Sequence, residues 1–279
     1  MAAARRADDS LPEDVLDDEV VELLDVPAAI VCATCGKPDC AGCFDDVGNK
    51  TESGVVVFVP WERPAIGLFS RIWGTTRAST EGAESFFSSM PKGPVGPALS
   101  FAIAAEAVAV GSSILMGAGA LSLIVALILP SVARAVLHDP RWQMVLMRMT
   151  FTAWLAFTVM LVGAHALHGA TLHVAAVRRG GKGELSRALR FGLYAAGWDV
   201  ATSPFGLMVS LFTGGLRGVA GARVHAFHTP GRATTAMLRG LYGVTGVPAI
   251  RARRWSMTIT MTGSVLAIIA ALFAVFLAA

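Results

Sequence analysis

Four cysteines fall within twelve residues, as Cys32-x2-Cys35-x4-Cys40-x2-Cys43. Two Cys-x-x-Cys pairs can set four thiolates tetrahedrally around Zn²⁺, each pair forming a tight knuckle. Gly36 and Gly42 adjoin these cysteines and supply the unusual backbone angles that knuckles use. The gap between the pairs is shorter than in a zinc ribbon. The expectation is therefore a miniature structural zinc knuckle on Cys32, Cys35, Cys40 and Cys43. A disulfide or redox pair and unbound thiols are the alternatives. Zinc needs reduced thiolates, which would place this segment in the cytosol.

A second set of candidates lies in apolar surroundings. Glu106 stands among Ala102, Ala104, Ala105, Ala107 and Ala109, and Asp199 precedes Ser203-Pro204. An ionisable group inside a bilayer costs about 2.5–3.5 kcal/mol on insertion scales, so such groups usually face a bundle interior and often mark a transport path. The bland reading is an acid that is protonated, paired with a polar partner in the bundle, or placed nearer the interface. His165 and His168, one helical turn apart, could begin a metal site; without a third ligand at suitable spacing, loop or headgroup contacts are the simpler reading. His173 is less well aligned. Catalytic signatures are absent: there is no nucleophile elbow, no phosphate-cradling loop and no His-Glu-x-x-His. Gly180-Gly181-Lys182-Gly183 reads as a turn. The chain is expected not to be an enzyme.

The elements that must position these residues are long apolar runs, which begin only after residue 95. Leu99 to Leu137, Phe151 to Val177 and Met257 to Ala279 each exceed the roughly 18–20 residues that cross a 30 Å hydrocarbon core as helix. Hydrophobic residues make up 54% of the chain and charged ones 15%, far from a soluble composition. The expected fold is an all-α, multi-pass transmembrane bundle of about five spans. It divides into an acidic tail (1–53), a juxtamembrane interfacial segment (54–95) and a transmembrane domain (96–279).

The run from Leu99 to Leu137 is too long for one crossing. A turn at Gly117-Ala118-Gly119 would give spans near 98–116 and 119–137, the second kinked by Pro130. Spans near 151–173, 192–213 and 256–278 follow, with an interfacial or re-entrant helix at 233–250. In the tail, Ser10 and Glu13 fit a capping box, ahead of Leu16, Val20, Leu23 and Leu24 at helical spacing. Ile66, Phe69, Ile72 and Trp73 share a helical face, flanked by Arg63, Arg71 and Arg77, as in a helix lying in the headgroup plane.

Charge divides the chain sharply. Residues 1–53 hold 13 of the 20 acids and four basic residues; the rest carries 19 basic and seven acidic residues. The basic excess beside apolar runs points to anionic lipid headgroups, not to nucleic acid. The acidic, charge-broken N-terminus does not fit a secretory signal. With five spans and the N-terminus inside, thirteen basic residues fall on the inner side. Five (Arg178, Arg179, Lys182, Arg187, Arg190) fall outside, so one loop disagrees with the positive-inside rule.

Several short motifs follow one another in order: Pro60-Trp61-Glu62-Arg63, Thr75-Thr76, Glu84-Ser85-Phe86-Phe87-x-x-Met90-Pro91, Pro97-Ala98-Leu99-Ser100-Phe101-Ala102, His165-x-x-His168, Gly180-Gly181-Lys182-Gly183-Glu184-Leu185, Leu189-Arg190-x-x-Leu193-Tyr194-Ala195-Ala196 and Gly221-x-x-Val224-His225. In that order they resemble bacterial members of the Yip family, relatives of eukaryotic Ypt/Rab-GTPase-interacting membrane proteins. The resemblance covers roughly residues 55–230, and many bacterial members also carry a cysteine-rich tail. The chain departs from the pattern after His225, where Arg239, Gly240, Gly243 and Gly246 interrupt a usually more apolar stretch. The resemblance implies an all-helical multi-pass protein of the bacterial inner membrane, with a cytosolic N-terminus. In eukaryotes it implies vesicle traffic with small GTPases, a pathway bacteria lack, so it delivers no mechanism here. The expectation for the whole chain is a non-catalytic organising or adaptor role in which the tail recruits an unidentified cytosolic protein. The competing expectation is a small-solute or ion transporter using Glu106 and Asp199. Homo-oligomers are compatible with either.

Overall fold

The computed structural model describes the backbone of Ile30–Cys32 and Val55–Val57, together with residues 59–277, less the side chains of residues 223 and 225–227. Cys35, Cys40 and Cys43, and with them the zinc knuckle, lie outside the described residues, as does the tail helix. Cys32 is described as backbone alone, paired with Val55 in a short antiparallel ladder between β1 (Ile30–Cys32) and β2 (Val55–Val57). Every other regular element among the described residues is a helix. A 3-10 turn at Pro60–Glu62 precedes α1 (Leu68–Thr80), α2 (Ala83–Ser88), α3 (Val95–Ile128), α4 (Pro130–His138), α5 (Pro140–Val177), α6 (Leu185–Tyr194), α7 (Gly197–Thr202), α8 (Pro204–Tyr242) and α9 (Gly246–Leu277).

Two zones of different character share these helices. One is a compact cap: α1, α2, α6, α7 and the second half of α8 pack around the near ends of α3, α5 and α9. Its core is aromatic. Phe86, Phe87, Phe101, Phe191 and Tyr194 are fully buried. Phe87 meets Phe191 edge-on at 4.7 Å and Phe86 at 4.9 Å, the arrangement that aromatic quadrupoles favour. The other zone is bare. Leu115, Leu121, Leu127 and Ile128 of α3, Met147, Phe151 and Val159 of α5, and Met261, Leu266, Phe273 and Phe276 of α9 are all exposed. Continuous apolar surface on that scale has no place in water, and lipid is the solvent that suits it.

Four helices are long and apolar enough to cross a membrane: Val95–Ile128, Pro140–Val177, Pro204–Ala222 and Gly246–Leu277. The third does not run straight. Gly215 has φ 59° and ψ −152°, and a Cβ on Gly218 would lie 2.4 Å from the Ser210 carbonyl. In a straight helix those residues are about 12 Å apart, so the chain reverses at Gly215, where only glycine takes that φ without strain. The first arm, 204–214, is about 16 Å long, half a hydrocarbon core. Three full-length helices thus remain, with a helical hairpin beside them.

The expected division of 99–137 is corrected. Gly117 and Gly119 lie inside the unbroken α3. In a waterless medium a broken turn leaves backbone groups unpaired, which costs more than the roughly 1 kcal/mol of glycine in a helix. The break comes at Leu129-Pro130, where Leu129 leaves the helical region (φ −130°, ψ 64°). Proline disfavours helix in the residue before it and has no N–H to continue the ladder. The expected span at 192–213 is corrected too. It is divided between α6, α7 and α8, with Ser203 capping the new start by accepting from the Gly206 N–H at 3.3 Å. Residues 233–250 join the cap: a Cβ on Gly240 would strike the Ser88 carbonyl at 2.3 Å, so α8 rests directly on α2. Against the expected five or so spans, four helices have the length and apolar character of a crossing, and one of them, Pro204–Ala222, reverses at Gly215.

Candidate functional site

Glu106, His165 and Asp199, from α3, α5 and α7, converge where the cap meets the bare helices. Small residues make room for this. Ala102, Ala105 and Ala109 are buried on the same face of α3 as Glu106. On the other side α6 sits against α5 backbone to backbone: a Cβ on Gly192 would lie 2.2 Å from the His165 carbonyl, and one on Gly169 at 2.2 Å from that of Ala188. About three turns of α5 from His165 toward the bare zone, the Trp154 indole N–H donates to the Ala107 carbonyl at 3.0 Å and pins α5 to α3. His165 is thereby held from both sides.

Both carboxylates address one ring nitrogen. His165 Nε2 lies 2.8 Å from Asp199 Oδ2 and 2.9 Å from Glu106 Oε1. An imidazole nitrogen carries at most one proton, and the ring geometry aligns it with Asp199. Glu106 is fully buried, and neither of its oxygens has a hydrogen-bond partner among the described residues despite the short separation. The Asp199 side chain remains 41% exposed. It opens with Glu106 onto a groove of about 500 Å³ between α3, α5 and the start of α8, lined also by Ser113, Phe157, Thr202 and Ser203.

Of the four intramembrane polar residues expected to matter, three meet and one does not. His168 turns to α9, its Nδ1 3.2 Å from Ser256 Oγ, which in turn pairs with Thr171 Oγ1 at 2.8 Å. His173 Nδ1 takes Tyr242 Oη at 2.7 Å. The three histidines therefore join three different helix contacts.

A second polar cluster was not foreseen. Arg190 is fully buried in the cap with Nη2 3.0 Å from Glu62 Oε1, and its Nη1 donates to the Pro94 carbonyl at 3.1 Å. Tyr194 Oη donates to the same Glu62 oxygen at 2.5 Å. Burial, then the Glu62 carboxylate, pushes the Tyr194 phenol well above its ordinary range. Trp61 beside it is held three ways: its backbone N–H donates to Thr75 Oγ1 at 2.8 Å, its indole to Ser100 Oγ at 3.0 Å, and Arg71 lies over its ring at 4.6 Å. Counting charge by loop puts Arg190 outside, either in a loop or at the start of an interfacial helix with Arg187; the structure makes it a core residue of α6. The signal that could have corrected this is its setting in Leu189-Arg190-x-x-Leu193-Tyr194, beside residues built for a core.

Compared with family models, curated proteins and solved structures, the chain matches none.

Proposed function

We propose that this chain is a non-catalytic organising or adaptor protein of the bacterial inner membrane, of the Yip type, whose tail recruits a cytosolic partner. The observation that carries the reading is the division between cap and bare helices, together with where the charge lies. Of the 19 basic residues after residue 53, fourteen sit at the cap end (Arg63, Arg71, Arg77, Lys92, Arg178, Arg179, Lys182, Arg187, Arg190, Arg232, Arg239, Arg251, Arg253, Arg254), Arg134, Arg141 and Arg148 at the far end, and Arg217 and Arg223 on the hairpin after Gly215. The positive-inside rule then favours a cytoplasmic cap. Three crossings instead of five also bring residues 178–190 to the same side as the juxtamembrane segment, which removes the one disagreement with that rule.

The acidic tail joins the cap at Val59, which is buried in its core. On this reading the tail is displayed on the cytosolic face, next to the bilayer. Basic residues at the rim support a seat on anionic lipid. Arg232, Arg239, Arg253 and Arg254 surround a groove of about 710 Å³ whose edge is Met257, where α9 leaves the cap. Glu84 is the one carboxylate lining it among the described residues; its bond to Arg232 (2.8 Å) holds its carboxyl below the usual range. The convergence of Trp61, Glu62, Thr75, Phe86, Phe87, Arg190 and Tyr194 in one core supports the Yip resemblance, since those residues carry its motifs. The test is in-cell crosslinking of the full chain. A partner held by the tail is lost when Cys32 and Cys40 become serine, while membrane insertion persists; unchanged crosslinking contradicts the reading.

The meeting of Glu106 and Asp199 favours a second reading, a cation transporter. Neutral substitutions at both acids would then abolish flux into reconstituted vesicles and leave partner recruitment untouched.

A further inference from the structure

We propose that Glu106, His165 and Asp199 form a binding site for one first-row divalent cation, with Zn²⁺ as the reference ion. This site is separate from the cysteine tail and stands whether or not the protein is an adaptor. The donor atoms come from three helices and all lie within 4.8 Å of one another. A fully buried carboxylate without a hydrogen bond is costly, and a positive charge is what removes that cost. One imidazole N–H cannot serve Glu106 and Asp199 together. A divalent ion at the meeting point balances both carboxylates and takes the lone pair of neutral His165 Nε2, the nitrogen that both acids face.

The chemistry of the donors narrows the ion. One imidazole and two carboxylates suit a borderline cation such as Zn²⁺ and offer too few oxygens for Ca²⁺. Metal–ligand bonds of about 2.0–2.2 Å in a tetrahedron set ligand atoms about 3.3–3.6 Å apart. The present separations of 2.8 and 2.9 Å are about half an ångström shorter. Asp199, on the short α7 and partly exposed, has room to retreat by that amount. Three protein ligands leave a fourth position, and the side that is open faces the groove beside Ser113 and Thr202.

The test uses the full chain with Cys32, Cys35, Cys40 and Cys43 replaced by serine, so that thiolates do not compete. The protein is purified in detergent, stripped with chelator and titrated with Co²⁺, whose visible bands report coordination. The expected result is one Co²⁺ per chain, displaced by Zn²⁺, without near-ultraviolet thiolate charge transfer. Asp199→Asn and His165→Gln weaken binding at least tenfold, and His168→Gln leaves it unchanged. Helical circular dichroism shows that each variant is folded; if Glu106→Gln unfolds, Asp199→Asn carries the comparison, because its side chain is partly exposed. Folded, cysteine-free protein that takes up no stoichiometric Co²⁺ overturns the proposal: the cluster would then be held by protons alone. So does binding that survives both Asp199→Asn and His165→Gln.

Discussion

Arg190 and Glu62, far apart in sequence, meet at 3.0 Å inside the cap, with Tyr194 donating to the same carboxylate oxygen. The pair ties the Pro60–Glu62 turn to α6, across the start of α3. Removing one partner of a buried ion pair leaves the other charge stranded, at a cost of about 3 kcal/mol. Arg190→Ala and Glu62→Leu are both expected to destabilise the cap by that order. Arg190→Lys does not rescue it, since one ammonium cannot serve Glu62 and the Pro94 carbonyl together. Thermal unfolding in detergent measures this; a lysine variant as stable as the parent would contradict it.

The same cluster sets a limit at alkaline pH. Burial raises both Tyr194 and Tyr242 above the ordinary phenol value, and these are the only tyrosines in the chain. Above about pH 10 the unfolded chain releases phenolic protons that the folded chain keeps. The unfolded state then binds fewer protons, so stability is intact below pH 10 and falls as pH rises beyond it. Absorbance at 295 nm should show tyrosinate appearing together with loss of helicity. A full phenol titrating near pH 10 in folded protein would be the opposite result.

Glycines at the α5–α6 contact and glycines in the exposed half of α3 should behave differently. Gly169 and Gly192 have carbonyl oxygens 2.2 Å from where a Cβ would stand, whereas Gly117 and Gly119 have open space. Gly169→Ala or Gly192→Ala is expected to cost about 1–3 kcal/mol through overpacking. Gly117→Ala should be neutral or stabilise by up to about 1 kcal/mol, as inside any helix. Loss of insertion or stability in Gly117→Ala would restore a turn there.

The aromatic core offers a fourth check. Phe87 is fully buried and touches Phe86, Phe191 and Trp198. Phe87→Ala should cost about 3–5 kcal/mol, enough to loosen α2 and α6 while the bare helices stay in the membrane. Limited proteolysis that cuts near Gly82 or Gly183 in the variant and not in the parent would report this; equal resistance would count against a single cap core.

Much of this molecule was legible from residue patterns because lipid imposes simple demands. Apolar runs of the length seen in α5 and α9 have few alternatives, and Glu106 and Asp199 stood out because charge is rare in such company. Breaks were harder to place. Gly117-Ala118-Gly119 looks like a turn by the habits of aqueous loops, yet helix continuity prevails where no water can satisfy a freed carbonyl. Ser203-Pro204 and Gly214-Gly215 carried the real interruptions, in a stretch whose average hydropathy conceals them. Arg190 was misplaced because charge was counted by loop, and a guanidinium with a carboxylate, a carbonyl and a phenol around it can be a core residue. Spacing pairs His165 with His168, one turn on, whereas its partners Glu106 and Asp199 arrive from other helices and no spacing rule links them.

Topology is the claim on which the rest stands, and labelling from opposite sides of sealed vesicles tests it most directly. In a chain whose native cysteines are serine, single cysteines replace Lys92, Arg141 and Lys182 in turn and meet a membrane-impermeant maleimide. Three crossings with one cap predict that positions 92 and 182 react from the same side and position 141 from the other. Positions 92 and 141 reacting together, with 182 opposite, would show that the run from 99 to 137 crosses twice and would contradict the account.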